Sequence, residues 1–222
     1  MHLYVDKHDT RYSILNTQYE IMWSFENQLF VKGIHLIAGV DEAGRGPWAG
    51  PVVAAAVILP EKIRFINKIA DSKKLTPKMR ERAHNEICDH TTVGIGIVSE
   101  DLIDRLNILN ATLLAMQQAV DNLKTKPQWV LIDGKNAPAL NCQFSTIING
   151  DDKSISIACA SIVAKVRRDK IMFEYEEKYP GYDFARHKGY GTKRHLEALL
   201  KLGPSPIHRK TFAPIKRLLT PD

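Results

Sequence analysis

Four acidic residues stand where chemistry can be done. Asp41 and Glu42 follow the apolar run Leu36-Ile37-Ala38-Gly39-Val40, Asp133 follows Gln128-Trp129-Val130-Leu131-Ile132, and Asp151 follows Asn149-Gly150 just ahead of a helical stretch. Each alone reads as a helix cap, a solvated loop residue or part of a site, and Asp151 is the best placed of them to cap a helix. Together they mean more, because acids gathered at one sheet edge repel one another and a divalent cation relieves that repulsion. An all-oxygen donor set suits Mg²⁺ or Mn²⁺. No histidine pairs with these acids at ligand spacing, which disfavours zinc. Two such ions activate a water and stabilise the leaving oxygen of an in-line phosphoryl displacement. Neighbouring strand residues point to opposite faces, so Asp41 and Glu42 share one metal cluster only if their strand breaks there. The turn Gly44-Arg45-Gly46 directly after them supplies a reason for a break.

That turn lacks both the Gly-Lys-Ser/Thr ending of a Walker loop and the third glycine of a dinucleotide fingerprint. With no phosphate-cradling loop that carries a lysine, a nucleotide-dependent phosphotransferase is disfavoured. The turn is then either a tight bend or a place where backbone atoms approach a sugar-phosphate closely, with Arg45 facing phosphate. In His187-Lys188-Gly189-Tyr190-Gly191-Thr192 the tyrosine between glycines is a surface aromatic or a stacking platform, and the basic neighbours Arg186, Lys193 and Arg194 favour nucleic acid. Asp71-Ser72-Lys73-Lys74-Leu75 is a second cationic loop. The net charge is +6 over the chain, but residues 165–222 carry +7 and the remainder −1. Basicity concentrated in the last quarter fits a polyanionic partner there.

The elements that must position these groups follow from pattern. Thr76-Pro77 is a helix start, with threonine as cap and proline at the first position. Leu109, Leu113, Met116, Val120 and Leu123 recur at helical spacing and predict an amphipathic helix over 107–124. Strands are predicted at 36–42, 51–59, 92–99, 128–132 and 143–148, a long helix from Ile155 to about Lys178, and a basic helix over 192–202. Ile21, Phe25 and Leu29 suggest a short helix over 17–31. Strands first, then strands alternating with helices, make an α/β protein with a mixed sheet flanked by helices. Three units are expected: an amino-terminal appendage over 1–32, a catalytic domain over 33–190, and a basic helical extension over 191–222. At 222 residues, 44% hydrophobic and 25% charged, the chain is neither disordered nor collagen-like. No apolar run approaches the ~18–20 residues that span a bilayer. The start, MHLYVDKHDTRYS, has no apolar signal core. Cys88, Cys142 and Cys159 lack Cys-x-x-Cys spacing, as suits free thiols in a reducing cytoplasm.

Seven blocks of the sequence, in order, resemble bacterial ribonuclease HII. They are Ile37 to Pro47, Gly50 to Val57, Asp71 to Leu75, Ile132-Asp133-Gly134, Gly150-Asp151 with Ile157 to Asp169, His187 to Thr192, and His208 to Phe212. The resemblance covers roughly residues 35–215. It implies an RNase H-like fold and endonucleolytic cleavage of RNA in RNA–DNA hybrids, including cleavage 5′ of a single ribonucleotide embedded in DNA, leaving 5′-phosphate and 3′-hydroxyl ends. It implies that Asp41, Glu42, Asp133 and Asp151 bind Mg²⁺ or Mn²⁺, that Gly44, Arg45 and Gly46 read the 2′-hydroxyl, and that Tyr190 packs on the sugar 3′ of the junction. Lys73, Ser161, Lys165, His187 and Lys188 are its further substrate contacts. A monomer acting in the cytoplasm on hybrids and ribonucleotide-containing DNA is expected. The rival readings are a type 3 ribonuclease H preferring longer hybrids, against which the short region before Leu36 counts, and a non-catalytic nucleic-acid-binding module. Three positions depart from the family pattern. Cys159 stands where alanine is usual. Gly191 stands where proline is common, which predicts a looser loop at Tyr190. Asp152 competes with Asp151 as the fourth ligand.

Overall fold

The computed structural model describes residues 21–60 and 75–220. Its centre is a five-stranded sheet of β1 (Ile37–Ala43), β2 (Val52–Ile58), β3 (Thr92–Val98), β4 (Trp129–Asp133) and β5 (Gln143–Ile147), ordered β3-β2-β1-β4-β5. The first three pair antiparallel, and β4 joins β1, and β5 joins β4, in parallel. This is the mixed α/β sheet that the pattern predicts. Every residue of β2 is buried, and its side chains alternate between two cores. Ala55 and Val57 face the core built with the long helix, while Ala54, Ala56 and Ile58 face the opposite one.

The helices are α1 (Ser24–Phe30), α2 (Pro77–His90), α3 (Glu100–Leu106), α4 (Ile108–Asp121), α5 (Ile155–Lys178), α6 (Phe184–His187), α7 (Lys193–Leu202) and α8 (Ala213–Leu219). Thr76 caps α2 by accepting from Met79 N at 3.3 Å, with Pro77 following as expected. Small residues decide how near the layers come. A Cβ on Gly39 would lie 2.1 Å from the Ser156 carbonyl carbon, and one on Gly96 would lie 1.9 Å from Ala115 O. Glycine therefore lets α5 on one face and α4 on the other sit directly on the strands. The seven-residue α3 is too short for periodicity to reveal. Its Asp104 carboxylate accepts from Lys210 N at 2.8 Å and from Thr211 N at 2.9 Å, strapping the carboxy-terminal segment to the domain.

The amino-terminal segment shares the core. Met22 and Trp23 pack in the same cluster as Ile155 and Ile162, and Leu29 packs with Ile37, Leu131 and Ile157. Glu26 Oε1 accepts from Ser154 Oγ at 2.6 Å, Ser156 Oγ at 2.7 Å and Ser156 N at 3.0 Å, at the head of α5. An acid there complements the helix dipole. Burial nevertheless pushes the Glu26 carboxyl above its ordinary range. Toward the carboxyl end, Leu199, Ile207 and Ile215 are buried with Ala49, Met172, Tyr182 and Phe184. The helix expected over 17–31 is described from residue 21, and its earlier part, like Lys73 and the Asp71–Lys74 loop, lies outside the described residues. Among the described residues no helix is long and apolar enough to cross a membrane.

Candidate active site

Parallel pairing places Val40 of β1 opposite Ile132 of β4, so Asp41 and Asp133 come next at the carboxyl ends of adjacent strands. Open α/β sheets put their sites at such ends. One ligand atom each from Asp41, Glu42 and Asp133 lies within 4.8 Å of the others. The strand does not break to achieve this, contrary to the sequence expectation. β1 continues through Asp41 and Glu42 to Ala43, still paired with Ala55, Ala54 and Val53 of β2. Pairing with β4 stops at Val40, which leaves the last residues of β1 an open flank. Both carboxylates reach one space around that flank, and Asp41 Oδ1 turns to accept from Glu42 N at 2.7 Å.

The three acids repel one another in a poorly solvated corner. Burial, then the charge of Glu42, raises the Asp41 carboxyl well above its ordinary range, against the pull of the Ser161 hydroxyl. Glu42 is raised by burial and partly brought back by Arg45, whose Nη1 lies 3.3 Å from Oε1. Asp133 is raised by burial although its Oδ1 accepts from Gly150 N at 2.6 Å, and the nearby Asp151 charge adds to the rise. Partly buried, mutually repelling and made only of oxygen donors, the set fits a hard divalent cation.

Asp151 is not the cap of α5: Ser154 is, accepting from Ile157 N at 3.3 Å. The Asp151 residue instead sits in a short 3-10 turn, Gly150–Asp152, and lines the cleft beside the three acids, although it lies outside their 4.8 Å group. Its neighbour Asp152 is exposed on the same turn. The cleft, of about 390 Å³, is also lined by Glu42, Gly44, Arg45, Gly46, Arg80, Ser161, Lys165 and Tyr190. The structure thus gathers the glycine turn, the tyrosine, Ser161 and Lys165 around the carboxylates. Tyr190 is 46% exposed and its Cε1 would be 3.7 Å from a Cβ on Gly46. Lys165 Nζ is paired with Asp169 at 2.7 Å.

His187 and Lys188 do not line this cleft. His187 is buried, its Nε2 donating to Tyr182 O at 2.7 Å and its Nδ1 accepting from Gly189 N at 3.1 Å. The Lys188 ammonium sits over the Phe173 ring, 3.6 Å from its centroid, and bonds Ala185 O. Both hold the loop that carries Tyr190. Nor is that loop slack at Gly191: a Cβ there would lie 2.0 Å from the Trp48 indole, so the ring fills the space that proline would occupy.

Sequence reasoning credited the basic residues to a polyanion and missed two buried arginines. Arg168 donates to Pro51 O at 2.9 Å, Ala49 O at 3.0 Å and Lys188 O at 2.9 Å. Arg209 donates to Gly44 O, to Arg45 O at 3.0 Å and twice to Gly50 O, at 2.7 and 3.0 Å. Between them they hold the glycine turn and the tyrosine loop. Gly44, at φ +100°, would place a Cβ 2.1 Å from Arg168 Nε, so only glycine fits beside the guanidinium. One signal could have found Arg168: it falls on the same four-residue stripe as Ala160, Ala164 and Met172, the inward face of α5.

Next to the arginines lie three buried imidazoles, His187, His195 and His208, packed around Phe184. Burial lowers His195 and His208 to about 4. Their folded values lie below the unfolded one near 6.5, so unfolding takes up protons. Stability is full above pH ~6.5 and is lost as the pH falls toward 4. Unfolding titrations should give a free energy lower at pH 5 than at pH 7 by about 2 kcal/mol for each of His195 and His208. A flat profile over that range would mean that the imidazoles are already charged in the fold.

A mixed sheet with helices on both faces thus carries, at the ends of β1 and β4, a partly buried carboxylate set that fits a divalent cation. The family model for ribonuclease HII matches residues 38–215. Ribonuclease HII of Geobacter metallireducens is 53% identical over 201 residues, covering 90% of this chain and 94% of its own. That of Acetivibrio thermocellus is 52% identical over 208 residues, covering 93% and 81%. The crystal structure of ribonuclease H2 from Pyrococcus horikoshii OT3 is similar with a TM-score of 0.69 at 28% identity, covering 82% of this chain and 96% of that one. The chain belongs to the ribonuclease HII family, and it is a metal-dependent ribonuclease H acting on RNA–DNA hybrids.

Proposed function

We propose that this enzyme cuts the strand 5′ of a single ribonucleotide embedded in duplex DNA, as well as RNA in longer hybrids, leaving 5′-phosphate and 3′-hydroxyl ends. The observation that carries this reading is that Glu42, grouped with the Asp41 and Asp133 carboxylates, lines one cleft together with Asp151, the glycine turn and an exposed tyrosine. Asp41, Glu42 and Asp133 would hold two Mg²⁺ or Mn²⁺ ions, with Asp151 as the fourth ligand from the cleft wall. When bound, such a pair activates water and stabilises the leaving oxygen of an in-line displacement.

The remaining work belongs to the chain. The 2′-hydroxyl is the group that separates RNA from DNA. Gly44 and Gly46 bring backbone atoms to within reach of it, while Arg168 and Arg209 prevent the turn from adapting to a deoxyribose. Arg45, half exposed beside Glu42, faces the phosphate. Ser161 and Lys165 take the neighbouring phosphates. Tyr190, set over Gly46, packs on the sugar that follows the ribonucleotide. The same reading has the chain working as a monomer in the cytoplasm, in keeping with its free thiols at Cys88, Cys142 and Cys159.

The test is cleavage of a DNA duplex containing one ribonucleotide, with the cut mapped to the nucleotide. The expected product ends in the deoxynucleotide 5′ of the ribose; a cut only within runs of RNA would leave the longer-hybrid preference as the better description. Tyr190→Ala should lower turnover on the single ribonucleotide by about tenfold, the worth of roughly 1.4 kcal/mol, and on a long hybrid by much less. Equal losses on the two substrates would remove the tyrosine from the reading of the junction.

A further inference from the structure

The tyrosine loop is held by a chain of imidazoles whose proton positions follow from their partners. Ser205 N donates to His208 Nδ1 at 2.9 Å and the Ser205 hydroxyl lies 2.8 Å from the same atom, both nearer than Ser205 O at 3.3 Å, so Nδ1 accepts and the His208 proton sits on Nε2. At the other end, Tyr190 O lies 3.0 Å from His195 Nδ1 and can only accept, so the His195 proton sits on Nδ1. His195 Nε2 is then left with a lone pair, 2.9 Å from His208 Nε2, which supplies the hydrogen. The shortest contacts at the two ends agree on the same tautomers, and the chain runs from Ser205 to the Tyr190 carbonyl. His187 stacks on His195 at 4.3 Å and fixes Gly189 N from the side.

The chain also joins the two elements that line the cleft. His208 is next to Arg209, whose guanidinium holds Gly44, Arg45 and Gly50. Arg209 N donates to Trp48 O at 2.8 Å, and Trp48 N donates to Gly189 O at 2.8 Å. One dipeptide therefore ties the glycine turn by its arginine and the tyrosine loop by its histidine. Both imidazoles are essentially inaccessible, His195 at 0% and His208 at 1% exposure, so neither can touch substrate.

We propose that His195 and His208 are positioning residues for Tyr190: their hydrogen-bond chain sets the ring against Gly46 and so sets the preference for a lone embedded ribonucleotide. The proposal rests on the role of Tyr190 given above. His195→Phe keeps the ring and loses the bond to Tyr190 O. His195→Asn puts an amide N–H where Nδ1–H stood and keeps the bond.

The experiment measures kcat and KM for the full-length enzyme on a single-ribonucleotide duplex and on a long hybrid. His195→Phe should lower kcat on the single ribonucleotide by about tenfold, the scale of one buried hydrogen bond, with KM and long-hybrid kcat within about threefold of the parent. His195→Asn should recover most of the loss. A Phe variant with unchanged preference overturns the proposal, and so does an Asn variant as impaired as the Phe one. Equal losses on both substrates overturn it too, since loosened packing alone would produce them. Should His195→Phe fail to fold, His195→Gln takes its place, its amide lying beyond Tyr190 O. Tyr190→Ala is run alongside. If it leaves the preference intact, the role of Tyr190 itself falls; if it abolishes the preference and His195→Phe does not, only the positioning role falls.

Discussion

Asp41→Asn is expected to lower metal-dependent cleavage about a thousandfold, roughly 4 kcal/mol of transition-state stabilisation, while duplex binding persists. Asn is nearly isosteric and keeps an oxygen for Glu42 N, so the fold retains its local bond. What it removes is one negative charge from a site where three stand within 4.8 Å. Stability separates this loss from simple unfolding. Because the folded Asp41 carboxyl is raised above its ordinary range, keeping it ionised at pH 7 costs folding free energy. The metal-free variant should therefore melt at the same temperature as the parent or higher. Added Mg²⁺ or Mn²⁺ should raise the melting temperature of the parent, since the ion binds only the folded state, and should raise that of the variant much less. Near-parental turnover in a well-folded Asp41→Asn protein would remove Asp41 from the metal set.

Arg209→Met should destabilise the fold by about 3–5 kcal/mol, the scale seen when one partner of a buried charged hydrogen-bond set is removed. The methionine fills much of the volume but leaves the carbonyls of Gly44, Arg45 and Gly50 without their donors. Arg209→Lys should recover only part of the loss, because one ammonium cannot match a planar fork that spans three carbonyls. Denaturant unfolding measures the stability, and cleavage below the unfolding transition measures the turn. Both should fall together, activity further than the unfolded fraction explains. A stable Arg209→Met enzyme would show that the glycine turn holds its shape unaided.

Much of this protein was legible along the chain. The two-sided burial of β2 is written in Val52 to Ile58, the cap of α2 in Thr76-Pro77, and the extent of α5 in the run from Ile155 to Lys178. These are local patterns, where propensity and burial period agree. The acids at strand ends were visible for the same reason, since each closes a hydrophobic run. Even the need for a metal could be argued from a donor set made of carboxylates.

Other features depend on groups distant in sequence meeting in space. That Asp41 and Glu42 share one site without a strand break depends on where β4 stops pairing, which is a property of register and not of residues 41 and 42. That Ser154 and not Asp151 caps α5 depends on the turn through Gly150. His187, Arg168 and Arg209 read in the sequence as parts of a basic surface, yet the fold takes them inside. A buried cation is tolerable only where carbonyls surround it, and those carbonyls come from Gly44, Gly50, Ala49, Pro51 and Lys188, up to 165 residues away. Hydrophobic periodicity registers the side chain's polarity but carries no record of which backbone oxygens will be waiting for it.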